Sequence, residues 1–358
     1  MTSLRVALAT LPFTHNFDHH VMSVIRREVM FVPMRSVRLD VVDLGRVKAA
    51  LRRRMQLMAE GLFASKVFVV VNGKGGVGKS SLSVALAAAL AKTGLRVLLI
   101  EMDEQGNHVE DLGTAGTELA DDGHAQAAAI LEGKPLVPTG EARPNLFVVP
   151  GGAALEDVVE ELYCQRRLAG LCDDPEDQLA WMGMYACAID AVRDEYDVII
   201  LDVAPGCEAL QLQALVAGEM VLIPSKSDPS SRKGLRTVAR RFARARTLNA
   251  ALRLLGVVVF GTNATATRVQ TNIKDQLVDD LNGAAPVMEQ TIRHVESAAV
   301  ACRLHGKLPQ ELAADPNLPP ALQRSMKALA GDYRSLAMEV LQAKAALDHA
   351  TKNKEQAA

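Results

Sequence analysis

Fourteen consecutive residues restrict the possible folds of this chain most: Val67-Phe68-Val69-Val70-Val71-Asn72-Gly73-Lys74-Gly75-Gly76-Val77-Gly78-Lys79-Ser80. Five apolar residues in a row read as a buried strand. A glycine-rich turn follows, and Ser81 to Thr93, rich in alanine and leucine and stopped by Gly94, reads as a helix with a C-terminal glycine. Gly73, Gly78, Lys79 and Ser80 fit G-x-x-x-x-G-K-[ST], a spacing at which backbone N–H groups and a helix N-terminus converge on phosphate oxygens. The candidate contact residues are Gly73, Lys74, Gly75, Gly76, Val77, Gly78, Lys79, Ser80 and Ser81. Lys79 is set to neutralise β- and γ-phosphates, and the Ser80 hydroxyl to ligate Mg²⁺.

Two further apolar runs end in acids. Leu95 to Ile100 leads into Glu101-Met102-Asp103-Glu104-Gln105-Gly106-Asn107, and Tyr196 to Leu201 leads into Asp202-Val203-Ala204-Pro205-Gly206. The carboxyl ends of strands are where ligands sit in open α/β sheets, so both acids are expected beside the glycine-rich loop. Asp202 is placed to hold Mg²⁺ through water. Between these runs the pattern predicts loops around a short helix, Ala125 to Leu131, over 108–145, a short strand from Phe147, and helices over 155–171 and 176–193. Trp181 is read there as a core anchor.

Lys74 adds a second lysine to the loop, and Lys-Gly-Gly-Val-Gly-Lys-Ser resembles the deviant Walker A motif of the ParA/MinD family of ATPases. The resemblance implies that Lys74 reaches a partner subunit's nucleotide, so that ATP is sandwiched in a homodimer. The segment from Glu101 is similar to the family's D-x-D-P-Q-G-N, which assigns water positioning to Asp103. Glu101 stands for the first Asp and Glu104 for the Pro, which leaves the stiffness of this switch open. The catalytic set implied is Lys74, Lys79 and Asp103, the metal ligands Ser80 and Asp202, and the cofactors ATP and Mg²⁺. The fold implied is a doubly wound, mostly parallel α/β sheet with helices on both faces, a P-loop NTPase, preceded by a short N-terminal extension.

Charge is distributed unevenly. Residues 1–66 hold eleven Lys/Arg against five Asp/Glu, a net of +6, so the remainder carries −8. Leu44, Val47, Leu51, Met55, Met58 and Leu62 recur at helical steps, with Arg46, Lys48, Arg52, Arg53 and Arg54 mostly off that stripe. This basic amphipathic helix is open to three readings: a packing helix with a solvated face, a contact to DNA or a partner, or a translation start placed too far upstream. No apolar run approaches a membrane span, no cleavable leader is evident, and the five cysteines form no C-x-x-C pair. A cytoplasmic, nucleoid-associated protein is expected.

Another concentration of charge runs from Lys226 through Arg232, Lys233, Arg236, Arg240, Arg241 and Arg244 to Arg246, opposed only by Asp228. Arg236, Arg240 and Arg244 follow an i, i+4, i+8 row that could track a duplex backbone without reading bases. At 4% aromatic content, base stacking is a poor main binding mode. The stretch Gly261 to Gln270 is similar to the family segment in which an arginine joins others from the preceding helix to hold nonspecific DNA. The DNA-binding candidates are therefore Arg240, Arg241, Arg244, Arg246 and Arg268, with Asn263 where relatives contact adenine. Thr291 to Ala299 and Gly306 resemble the loop that closes over the base.

Three domains are expected: a basic extension at 1–65, a ParA-like ATPase domain at 66–345 and a polar tail at 346–358. The resemblance implies a plasmid- or chromosome-partition ATPase with a ParB-type partner. Alternatives are a MinD-like or cargo-positioning ATPase, or a nucleotide-dependent DNA-binding scaffold. Membrane attachment is not expected, since the C-terminal residues from Ala343 lack bulky apolar side chains beyond Leu347.

Overall fold

The computed structural model describes the backbone of residues 42–226, 229–262, 267–281 and 286–357, and their side chains except at 229–233, 267–270, 280–281 and 350–357. The alternating Val37–Val41 stretch and most of the N-terminal extension lie outside the described residues. Residues from Val42 onward form one compact unit.

Alternation along the strands explains the layering. In β1 (Val67–Val70), Val67 and Val69 join one apolar cluster while Phe68 and Val70 join the other, so the strand is buried on both faces. The same division holds in β2 (Val97–Met102) and β5 (Val198–Val203). With β3 (Gly140–Arg143), β4 (Leu146–Val149), β6 (Met220–Ser225), β7 (Arg253–Thr262) and β8 (Ile292–Arg293), the order is β3-β4-β2-β5-β1-β6-β7-β8. All neighbours are parallel except β3 and β4.

On one face lie the helices Leu44–Ala59, Leu155–Ala169, Glu208–Ala217 and Pro229–Ala245; on the other lie Lys79–Ala91, Glu296–His305 and the long Pro320–Ala357. This is the doubly wound architecture. The predicted helix over 176–193 is present but interrupted: α-helices Pro175–Ala180 and Met184–Asp190 flank a 3₁₀ turn at Trp181–Gly183. Gly183 ends this 3₁₀ turn against Leu51, where a Cβ would stand 2.6 Å from Leu51 Cδ1 and no side chain would fit. Trp181, 1% exposed, fills the core beneath it.

The helix Leu44–Ala59 packs on this same face. Asp43 caps it by accepting from the Arg46 N–H at 3.1 Å. Most of its basic side chains find partners within the chain: Arg46 donates to the Gly133 carbonyl, Lys48 pairs with Asp177 at 2.5 Å, and Arg52 holds Glu176. Arg54 is only 1% exposed and binds Asp190 at 2.7 Å and Glu219 at 2.6 Å. A buried guanidinium needs this neutralisation, and Glu219 also accepts from the N–H groups of Lys66 and Val67 at the start of β1. At the other end, the terminal helix runs from Pro320 to Ala357, so residue 346 falls within a continuous helix.

Candidate active site

Three strand ends meet where β1 gives way to the glycine-rich loop. Val70 pairs with Asp202, and Glu101 pairs with Asp202 from the other side, so the loop and both acidic segments share one edge. The loop needs its glycines for identifiable reasons. Gly78 has φ +92° and begins the helix Lys79–Ala91, and any Cβ on it would fall 2.5 Å from the Phe260 ring. A cleft of about 460 Å³ opens here, lined by Gly76, Gly78, Lys79, Ser80, Asp103 and Pro205 among others. The sequence-predicted residues Ser80, Ser81, Lys79 and Asp103 are thus brought to one cavity, with Asp202 buried beneath it.

Lys79 is buried, and its ammonium donates to the Lys74 carbonyl at 3.4 Å. Desolvation lowers its pKa despite the charges of Asp202 and Asp103. A desolvated lysine facing a cleft is primed to gain from a polyanion. Asp103 accepts from the Gln105 N–H at 3.0 Å, and burial raises its pKa. A carboxylate with raised pKa beside the cleft suits the holding of a water molecule by hydrogen bonding.

Beneath the cleft lies a buried group that the sequence did not reveal. Glu101, His108 and Asp202 place their ligand-type atoms within 4.8 Å of one another. His108 Nε2 lies 2.8 Å from Asp202 Oδ2, and its Nδ1 lies 3.9 Å from Glu101 Oε2. Burial opposes a charged imidazole, but the two carboxylates outweigh it and push the His108 pKa up to about 9. The imidazolium therefore sits between two buried acids: it pairs directly with Asp202, while burial pushes the Glu101 pKa up against the charge of His108. Burial also works against the Asp202 carboxylate, yet the His108 hydrogen bond and charge hold it below its usual range. Glu101 accepts from the N–H groups of His108, at 3.1 Å, and of Gly151, at 3.2 Å. Gly152 N–H in turn donates to the Asp103 carbonyl at 3.1 Å, so the segment after β2 is pinned although Glu101 and Glu104 stand where the resembled motif has Asp and Pro. No local pattern marks His108: it opens the one-turn helix His108–Asp111 just after Asn107, and only the fold turns it under Asp202.

Among the described residues, Asp202 Oδ1 has no hydrogen-bond partner although it is buried. An orphaned carboxylate oxygen beside a phosphate-type loop and the Ser80 hydroxyl fits a magnesium–nucleotide site. The oxygen donor set is that of a hard cation, while His108 occupies the other carboxylate oxygen as a hydrogen-bonding partner.

The basic flank divides. Arg236, Arg240 and Arg246 are exposed in or just beyond the helix Pro229–Ala245. Arg244 is half-buried, 3.5 Å from Glu208 and over the Trp181 ring at 5.8 Å. Arg241, which the sequence groups with them, turns inward to Gln211. Asn263 and the side chain of Arg268 lie outside the described residues. Of the loop predicted to cover a base, His294 lines the cleft, whereas Arg293 is held by Asp332 at 2.6 Å. Arg303, which no motif singled out, also lines the cleft and pairs with Asp111 at 3.0 Å. Among the described residues, no helix is long and apolar enough to cross a membrane.

Residues 65–254 match a family model described as an AAA domain. The chromosome-partitioning ATPase Soj of Thermus thermophilus is 30% identical over 210 residues, covering 57% of this chain and 74% of that protein. Among solved structures, pNOB8 ParA bound to nonspecific DNA superposes with a TM-score of 0.52 at 19% identity, covering 78% of this chain and 98% of the other. Cobyrinic acid a,c-diamide synthase from Mycobacterium smegmatis, with bound ADP and magnesium, gives 0.53 at 21% identity, over 68% of this chain and 93% of that one. The two structures share the fold, and the sequence relationship places the chain more narrowly. With its two-lysine loop at the head of a doubly wound sheet and this extent of match to Soj, the chain belongs to the ParA/MinD-type P-loop ATPases.

Proposed function

We propose that the chain is an ATP-hydrolysing partition protein that dimerises on ATP, binds DNA nonspecifically in that state and moves a plasmid or chromosome with a ParB-type partner. The observation that carries this reading is the convergence of Lys79, Ser80 and Asp103 on one cleft whose floor holds Asp202 with an unpartnered oxygen. It is supported by the chromosome-partitioning role named for the Thermus relative and by the nonspecific DNA held in the pNOB8 ParA structure.

In this reading the loop from Gly73 to Ser81 binds the triphosphate through its backbone N–H groups, and Lys79 gains an anion that offsets its desolvation. Ser80 and Asp202 would hold Mg²⁺, which when bound neutralises charge developing on the phosphates. His108 keeps Asp202 ionised and oriented. Asp103 orients the attacking water, and Lys74 reaches the nucleotide of the partner subunit. The exposed Arg240 and Arg246, with Arg244 and Arg268, would follow DNA phosphates, placing the ATP-bound protein on the nucleoid in the cytoplasm.

Size-exclusion chromatography with a non-hydrolysable ATP analogue and Mg²⁺ tests the dimer. The wild type should elute as a dimer, and Lys74→Ala should bind nucleotide but remain monomeric. A wild-type monomer under these conditions would remove the sandwich mechanism.

A further inference from the structure

Gln211 lies in the helix Glu208–Ala217 with no solvent exposure, and its amide touches three elements at once. Its Nε2 donates to the Ala204 carbonyl at 3.0 Å, immediately before Pro205 in the segment after β5. The same nitrogen donates to the Asn72 carbonyl at 3.3 Å, immediately before the phosphate loop. Its Oε1 accepts from Arg241 Nη1 in the basic helix Pro229–Ala245. Both amide protons and the oxygen are thereby used, each on a different part of the molecule.

The basic helix meets the phosphate loop at a second place. Gly234 approaches so closely that a Cβ on it would lie 2.2 Å from Asn72 Oδ1. A Cβ on Gly73 would in turn stand 3.2 Å from Thr237 Cβ. Asn72 is itself committed, donating to the Pro224 carbonyl at 2.7 Å and accepting from the Lys74 N–H at 2.9 Å. A displacement of the loop therefore cannot be absorbed locally by Asn72 or by empty space beneath the helix.

We propose that Gln211 and Arg241 are positioning residues that transmit the state of the phosphate loop and of the segment after β5 to the basic helix, so that Arg241 works inward instead of touching DNA. The inference rests on the nucleotide and DNA reading above and assigns the path between those two surfaces. A guanidinium donating to the amide oxygen polarises the amide and strengthens its donation to both carbonyls. Burial lowers the Arg241 pKa, consistent with a guanidinium withdrawn from water. If either carbonyl moves, a buried amide N–H loses its acceptor, and the remedy is a shift of Gln211 that carries Arg241 and its helix along.

Hydrogen–deuterium exchange of the full chain tests this, comparing ADP–Mg²⁺ with a non-hydrolysable ATP analogue and Mg²⁺ for wild type, Arg241→Met, Arg241→Lys and Gln211→Glu. In the wild type, protection of residues 234–245 should differ between the two nucleotides. In Arg241→Met and Gln211→Glu that nucleotide-dependent difference should fall by about fivefold or more, the lower range for coupled sites. Arg241→Lys keeps a donor and should restore part of it, whereas a purely structural arginine would show no such rescue. On DNA, Arg241→Met should narrow the ratio of affinities with the ATP analogue and with ADP while leaving the salt slope intact. A slope reduced by about 1 with an unchanged ratio would make Arg241 a phosphate contact and overturn the proposal. Exchange that is the same in wild type and Arg241→Met, or that does not respond to nucleotide at all, would also overturn it. Wild-type protein that binds no DNA with either nucleotide would instead sink the DNA reading, and the exchange comparison would still decide the relay.

Discussion

The phosphate loop and the basic helix are both rich in charge, but the protein uses the charge in opposite ways. Around the loop, Lys79, Glu101, Asp103, His108 and Asp202 are withdrawn from water near a cleft, with Glu101, His108 and Asp202 in contact with one another and Lys79 and Asp103 bonded to backbone groups. On the helix, Arg240 stays in solvent, as does Arg246 just beyond its end. The first arrangement makes each charge costly to remove because its partners remain buried. The second makes single charges nearly dispensable for folding and leaves them available to a polyanion. Arg241 joins the two regimes: by sequence it belongs to the surface row, by position to the interior network.

Substitutions separate these regimes. The largest effect is expected for Lys79→Ala, which should reduce steady-state ATP hydrolysis by about 100-fold or more, the usual loss on removing one group that stabilises developing charge. Asp103→Ala should reduce turnover similarly while retaining binding of a fluorescent ATP analogue. Equal turnover in wild type and both variants would exclude the proposed ATPase site.

Next comes His108→Ala, which leaves Glu101 and Asp202 buried without their shared cation. Denaturant titration in EDTA without nucleotide should show a loss of about 3 kcal/mol, the scale for breaking a buried ion pair. Adding Glu101→Gln removes one carboxylate and should recover part of the loss. The sign of the pH dependence follows from a folded-state pKa of about 9 against an ordinary value of 6.5. The His108 contribution is complete below about pH 6.5 and fades as pH rises through 9, so the gap between wild type and His108→Ala should narrow in that direction. A gap that widens with pH would mean that His108 is buried neutral.

Gly78→Ala should cost about 1–3 kcal/mol from the backbone alone, since φ is +92° there. The Phe260 ring adds a steric penalty, so Phe260→Ala should relieve part of the loss in thermal melts. The smallest effect on stability belongs to Arg240→Glu combined with Arg246→Glu, expected within about 0.5 kcal/mol of wild type for each exposed site. The same variant should weaken binding to unrelated duplexes alike and reduce the salt slope by about 1 for each phosphate no longer neutralised. Weakened affinity for only some sequences would count against a backbone-tracking surface.

Much of the scaffold was legible because its signals are local. Five apolar residues, a glycine turn and a helix follow one another in the chain from Val67, so their geometry is fixed by neighbours in sequence. The acids at the ends of β2 and β5 were equally visible, because a strand delivers its last residues to a known edge. The segment from Glu176 to Arg193 was harder. Its helical pattern is genuine, but the structure divides it into two short helices around a 3₁₀ turn, where Leu51, far away in sequence, packs against Gly183.

The sequence by itself determined the phosphate loop, the strand-end acids and the family. Those features depend on backbone conformations and spacings that a short stretch of chain carries within itself. Only the tertiary structure decided which charges are sheltered. It turned His108 under Asp202, sank Arg54 against Glu219, and drew Arg241 away from its exposed neighbours to Gln211. The physical reason is that the state of an ionic side chain depends on how much water it loses and which partner replaces that water, and both come from segments distant in sequence.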